Sequence, residues 1–169
     1  LGTGANGQPL GVVPGVATYG ITSTDAGAQA SWAALRAAVV RFMTANAAAG
    51  PEAVKALIRP ELWSFLDGVE AFAGSGVTEW DRVKAQLGGV VQTTHALATP
   101  AGTPAETQVL LTTNAGGVAP VFVGLWGAVD LIRDPYSDAQ SGGLRLTALT
   151  TADVTVARGT QLQLVTGLE

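Results

Sequence analysis

With 169 residues, 47% of them hydrophobic, the chain is long enough for one ordinary core, or for two lobes that share it. Nine Lys and Arg against thirteen Asp and Glu leave a net charge of −4, and this sparse charge excludes the clustered basic patch that phosphate neutralisation requires. The absence of Cys removes disulfides, thiolate metal sites and cysteine nucleophiles together.

Residues 1 to 30 are punctuated by Gly2, Gly4, Gly7, Pro9, Gly11, Pro14 and Gly15, which predicts a turning entry segment with one short strand at Val16 to Ile21. Ser31 is a good N-cap, and Trp32, Leu35, Val39, Phe42 and Met43 recur at helical spacing, predicting a helix that runs to Ala49 and stops at Gly50-Pro51. Val54 to Ile58 alternates as a short buried strand, and Pro60 opens a second helix through Leu62, Trp63 and Leu66. Trp80 to Leu87 reads as a helical turn or an irregular segment, and Gly88 to Thr94 as a strand. Thr107 to Thr113 and Pro120 to Leu125 read as successive strands around the Asn114 to Gly117 turn. Val129 to Ile132 continues the strand pattern up to Asp134-Pro135-Tyr136. Leu144, Leu146, Ala148, Val154 and Val156 then alternate with polar residues, as in a sheet with one covered face, and Gln161 to Thr166 adds a last strand. The class is α+β, with helices in the first half and sheet in the second. No apolar run reaches the roughly 18 residues of a membrane-spanning helix, because Val118 to Ile132 is broken by Pro120, Gly124, Gly127 and Asp130.

The inventory of chemistry is thin. Gly2 to Gly7 matches the G-x-G-x-x-G string of dinucleotide sites, but no strand precedes it and Gln8-Pro9 is a poor helix start. His95 is the single histidine, so a multi-histidine metal site is impossible and a hydrolytic triad would have to be built around it alone. No serine sits in a nucleophile elbow. The carboxylate pairs Asp67/Glu70, Glu79/Asp81 and Asp130/Asp134 suit acid–base work or a cation, and equally solvated faces and strand ends. Trp32 and Trp63 belong to apolar helix faces and are expected in the core, whereas Trp80, in a loop-like segment, is expected at an interface. Asp153 and Arg158 flank the last alternating strand and Arg145 precedes them on its expected partner strand. Such an Arg can pair bidentately with a neighbouring subunit's carboxylate. No cofactor is implied. A surface this poor in charge suggests one covered by neighbours.

The order of segments resembles the major capsid proteins of tailed bacteriophages with the Hong Kong 97 fold. Leu1 to Val13 is similar to the glycine-rich passage entering the axial domain, Ser31 to Ala49 to its first helix, and Val54 to Leu66 to its strand-then-helix unit. The stretch from Phe122 to Tyr136 is the most specific match. The resemblance implies an axial domain at 1–128, a peripheral hairpin at 129–158, formed by Leu144 to Arg158, and a return strand at 159–169. Val121 to Ala128 then belongs to the axial sheet.

It further implies a non-enzymatic shell subunit forming pentamers and hexamers. Scaffolding protein, maturation protease and portal are its expected partners, and the shell encloses DNA without reading its sequence. The expected places are the virion capsid and, during assembly, the host bacterial cytoplasm. An encapsulin-type nanocompartment shares the fold, and a small hydrolase using His95 is the alternative from another class. Leu1 in place of Met, and the family's arm, extended loop and spine helix upstream of the matching passage, imply that the chain is a portion of a longer product. Some family members seal the shell with a Lys–Asn isopeptide bond promoted by a Glu. Residues 138 to 168 contain neither Asn nor Glu, so the resemblance implies a shell held by non-covalent contacts.

Overall fold

The computed structural model describes residues 2–169; Leu1, the first residue of the glycine-rich passage, lies outside them. The described residues form a five-stranded mixed sheet with three α-helices, and a separate two-stranded ribbon. The sheet contains β1 (Thr22–Ala28), β2 (Val54–Ile58), β3 (Gly89–Gln92), β4 (Thr107–Thr113) and the last strand of the chain, β7 (Leu162–Leu168). Their order is β1-β7-β4-β2-β3, with β1/β7 and β2/β3 parallel and the two inner pairs antiparallel. The ribbon is β5 (Val121–Asp134) with β6 (Arg145–Val156).

Helix α1 (Trp32–Thr44) begins as expected on Ser31, whose hydroxyl accepts from the Ala34 amide at 3.4 Å. Its end comes five residues sooner than the alanine run suggested. Asn46 takes a left-handed conformation (φ 54°) and the Ala47 amide turns back to the Phe42 carbonyl, releasing Ala47 to accept from the buried Thr113 hydroxyl. Helix α2 (Pro60–Gly68) starts on proline, whose missing N–H costs nothing at a first turn. Helix α3 (Glu79–Gln86) settles the ambiguous segment: Thr78 and Asp81 cap it reciprocally, side chain to backbone in both directions.

The entry segment contains no strand at Val16 to Ile21. The amides of Gly15 and Tyr19 bond four residues back, to Gly11 and Gly15, so the chain coils there, and β1 starts only at Thr22. The polar, glycine-containing sequence of β1 has little strand propensity of its own. Its conformation is imposed by parallel pairing with β7, a tertiary contact outweighing a weak local preference.

All three helices bury their apolar faces in one core cluster. Leu35, Ala38, Val39 and Phe42 of α1, Leu62 and Leu66 of α2 and Val83 of α3 meet Val54, Ala56, Ile58, Val109, Leu111 and Val165 of the sheet. Trp32 joins them, but Trp63 is 37% exposed, a correction to its expected core position: α2 turns Leu62 and Leu66 inward and carries Trp63 on its flank.

Arg59, only 5% exposed, joins β2, α2 and the loop after β3. It donates to both oxygens of Glu61 and to the carbonyls of Thr94 (2.6 Å) and Leu97 (3.0 Å). The hydrogen bond from Arg59 holds the Glu61 carboxyl below its ordinary range, and the same bond raises Arg59 further. Phe42 is fully buried, so Phe42→Ala is expected to destabilise the chain by about 3–5 kcal/mol. Met43→Ala, next to it on the exposed flank, is expected to change stability by less than about 1 kcal/mol. Urea denaturation of the two variants checks the contrast.

Candidate assembly interface

β5 and β6 pair antiparallel with each other and with no strand of the main sheet. This corrects the expectation that Val121 to Ala128 belongs to the central sheet: Val121 to Trp126 is paired throughout with Thr151 to Val156. The hairpin arms are therefore 121–134 and 145–156, and Leu144 to Arg158 supplies one arm rather than both. The turn at Asn114 to Gly117 is present, with Gly116 and Gly117 at positive φ, but the strands on either side of it diverge instead of pairing.

The ribbon is fixed at its root. The Ala157 amide donates to the Pro120 carbonyl at 3.0 Å, and the Tyr19 hydroxyl lies 2.9 Å from the Leu10 carbonyl and 3.2 Å from that of Val154, tying the entry segment to β6. Gly159 packs so closely on the Tyr19 carbonyl that a Cβ there would collide with it. The supposed dinucleotide motif serves the same region. Gly2 and Gly11 bond backbone to backbone at 2.8 Å, closing Gly2 to Gly7 into a loop with no helix behind it.

At the tip, the Asp134 carboxylate accepts from the amides of Tyr136 (2.8 Å) and Ser137 (3.1 Å) and from the Ser137 hydroxyl. The hydroxyl bond is the main cause holding its carboxyl below the ordinary aspartate value, with the two amides adding to it.

Between root and tip, strand alternation sorts the side chains onto two faces. Val121, Val123, Leu125 and Leu131 of β5 share one with Val156, Val154, Ala152, Ala148 and Leu146 of β6. Apart from Thr150, and from Arg133 opposite Leu146 near the tip, this face is aliphatic, yet Val123 is 67%, Leu125 72% and Leu131 65% exposed. The other face alternates large and polar groups: Phe122, Trp126 and Ile132 stand opposite Thr155, Thr151 and Thr147. The Trp126 indole lies over Gly124, where an added Cβ would sit 2.6 Å from it. Within this chain neither face is covered, so the cover expected from the alternation is not supplied by the chain itself. An isolated two-stranded ribbon is marginal in water, and this one leaves large aliphatic side chains exposed along its length.

The four sequence-derived interface residues are not brought together. Trp80 stands in α3, half-buried against the core. Arg145 and Asp153 lie on the same strand, not on partner strands, about 26 Å apart at the usual rise. Arg145 is opposite Asp134 at the tip. Asp153 accepts from the next amide, Val154, and Arg158 reaches the Ala115 carbonyl at 3.5 Å. All three are exposed. Tyr19 and Arg59 carry no sequence pattern that marks them, whereas the exposed ribbon face has one signal, the uncharged run Val121 to Val129.

Several of the titratable groups make local structural bonds. His95 is exposed in the loop after β3, and its amide bonds weakly to the Thr93 hydroxyl. Glu79 accepts the Trp32 amide at 2.7 Å, placing a carboxylate at the N-terminus of α1, and also binds Arg82. Asp81 caps α3 and Glu70 accepts from the Gly74 amide. A cavity of about 430 Å³ between the end of α1 and the turn after β4 is lined by Asn46 to Ala49, Ala53 and Asn114 to Gly116, with no titratable side chain. Among the described residues no group of three or more His, Asp and Glu could hold a metal ion, and no helix is long and apolar enough to cross a membrane.

The mixed α+β fold, a helix-backed sheet with a long ribbon, is shared with solved structures of the Hong Kong 97 type. Comparison with protein-family models and with curated proteins finds no match. Among solved structures, the chain is similar to a virus-like particle from Pyrococcus furiosus, with a TM-score of 0.58 and 18% identity over 92% of this chain and 60% of that one. It is also similar to a chain of Mycobacterium phage Che8 (TM-score 0.55, 15% identity, 87% of this chain and 53% of that one). A third likeness is to the capsid of Myoviridae phage XM1 (TM-score 0.55, 12% identity, 89% and 52%). The chain thus spans between half and three-fifths of the solved chains it resembles.

The depressed Asp134 carboxyl gives the tip a pH dependence. Its contribution is complete above the ordinary aspartate value and is lost as the pH falls through the lower folded value. The Tyr136 and Ser137 amides are expected to stay protected from exchange through the ordinary aspartate range and to lose protection only as the pH falls below it. Asp134→Asn is expected to abolish that acid transition, as followed by amide NMR. His95→Ala is expected to shift stability by less than about 0.5 kcal/mol in urea denaturation.

Proposed function

We propose that the chain is the shell-forming portion of a phage or prophage major capsid protein, with a structural and not an enzymatic role. In this reading the five-stranded body is the axial domain, packing around five- and six-fold positions. The ribbon from Val121 to Val156 is the peripheral arm that lies against a neighbouring capsomer. One observation carries the proposal: an aliphatic ribbon face that nothing in its own chain covers, on a fold shared with capsid and virus-like-particle structures.

The driving force is apolar burial, about 25 cal/mol for each Å² removed from water, summed over interfaces of about 1,000 Å² or more and closed by symmetry. Arg145, Asp153 and Arg158, exposed at the two ends of β6, are suited to partner carboxylates and amides of the adjoining subunit. With neither Asn nor Glu between 138 and 168, these contacts are non-covalent. A net charge of −4 suits a container that holds DNA without gripping it. Scaffolding protein, maturation protease and portal complete the proposed set of partners. Assembly takes place in the bacterial cytoplasm and the product resides in the virion capsid.

Electron microscopy of the full-length gene product is expected to show closed icosahedral shells; a monodisperse monomer would overturn the proposal. Shells filled with a protein cargo and devoid of DNA would identify a cellular nanocompartment instead. Leu125→Asp, on the exposed face, is expected to abolish shells while leaving the thermal midpoint of the subunit unchanged. Shells of normal yield from that variant would remove the ribbon from the interface.

A further inference from the structure

The ribbon is not one continuous ladder. Trp126 pairs with Thr151, but the next paired residue of β5 is Asp130, opposite Leu149. Gly127, Ala128 and Val129 therefore face Thr150 alone, two residues more than a regular ladder holds. Gly127 adopts φ 77°, a conformation that glycine tolerates and side chains resist. A cavity of about 130 Å³ lies against the irregularity, lined by Trp126 to Ala128, Asp130 and Leu149 to Thr151.

The count of two matters, because it preserves facing. Trp126, Asp130 and Ile132 still share one face and Leu125 and Leu131 the other, as they would if Gly127 and Ala128 were absent and Val129 paired with Thr150. The base half, Val121 to Trp126 with Thr151 to Val156, is tied to the body through Tyr19 and Pro120. The tip half, Asp130 to Asp134 with Arg145 to Leu149, is bonded within itself and at the turn by Asp134. Its orientation passes to the base through Thr150 and the looped-out residues.

We propose that Gly127-Ala128 is a two-residue insertion that divides the ribbon into two panels, and that the tip panel pivots about it relative to the base. The pivot is a property of the unassembled chain. Only its use, letting one ribbon meet neighbours at the differing angles of five- and six-fold surroundings, rests on the shell reading above.

The cysteine-free sequence permits a clean test. Spin labels at Arg36→Cys on α1 and Thr147→Cys in the tip panel report tip against body, and Arg36→Cys with Thr155→Cys reports base against body; all three positions are exposed. Pulsed electron resonance on the full chain is expected to give a broad tip-to-body distribution and a narrow base-to-body one. Deleting Gly127 and Ala128 is expected to narrow the former by roughly twofold without moving the latter. A tip distribution already as narrow as the base one, or one equally broad after deletion, overturns the proposal. Should the deletion variant not fold, amide exchange in the undeleted chain decides. Gly127 to Val129 and Thr150 are expected to exchange at least about tenfold faster than the paired residues on both sides, and uniform protection along β5 overturns the pivot.

Discussion

The position of β7 governs the rest of the molecule. β7 lies inside the sheet, parallel to β1 on one side and antiparallel to β4 on the other, so the sheet is joined between those two only once β7 is in place. Leu162 to Val165 are buried in unbroken succession, on both faces of the sheet, as an interior strand requires. Because β4 and β7 are antiparallel neighbours, the end of β4 lies beside the start of β7, and the ribbon between them leaves and returns at one place. Pro120, Ala157, Gly159 and Tyr19 close it where departure and return meet.

That topology separates two kinds of stability within one chain. In the body, Phe42, Leu35, Leu66 and Leu111 exchange water for close-packed neighbours, and the few charges act as fasteners: Glu79 on the start of α1, Asp81 on α3, and Arg59 across β2, α2 and the loop after β3. Glu79, Asp81 and Glu70, members of the apparent acid–base pairs, each accept from a backbone amide in this way. In the ribbon, backbone pairing and β-branched side chains hold the shape while the apolar groups stay in water. Its conformation is decided within the chain, but the burial its residues are suited to is not supplied there.

The distinction marks what could be read from the sequence. Elements whose residues are buried by their own helix or sheet announced themselves: the spacing from Trp32 to Phe42, the alternation in Val54 to Ile58, and Pro60 at a helix start. β1 did not, because its polar residues become a strand only by pairing with a segment 140 residues away. In the ribbon, strand character is legible but the pairing is not. Alternation states that one face is apolar and says nothing of whether the cover comes from the same chain, so Val121 to Ala128 was assigned to the sheet. Arg59 was overlooked because a lone arginine before a proline carries no pattern, and its value lies in two carbonyls supplied by a distant loop.

Charge along the ribbon gives the exposed face a further order. β5 is uncharged from Val121 to Val129 and β6 from Leu146 to Ala152, whereas Asp130, Arg133, Asp134, Asp138 and Arg145 gather toward the tip, and Asp153 and Arg158 stand at the root. Stable protein contacts have this arrangement, a charge-depleted centre excluding water within a polar rim that remains wet. On the ribbon the centre and the rim are written along one pair of strands, so Arg145, Asp153 and Arg158 fall at the margin, where exposed ion pairs contribute little energy but fix register. The affinity of the proposed contact then resides in Val123, Leu125, Leu131 and their β6 neighbours. A substitution at a marginal arginine should alter how two subunits align, and one at Leu125 whether they associate at all.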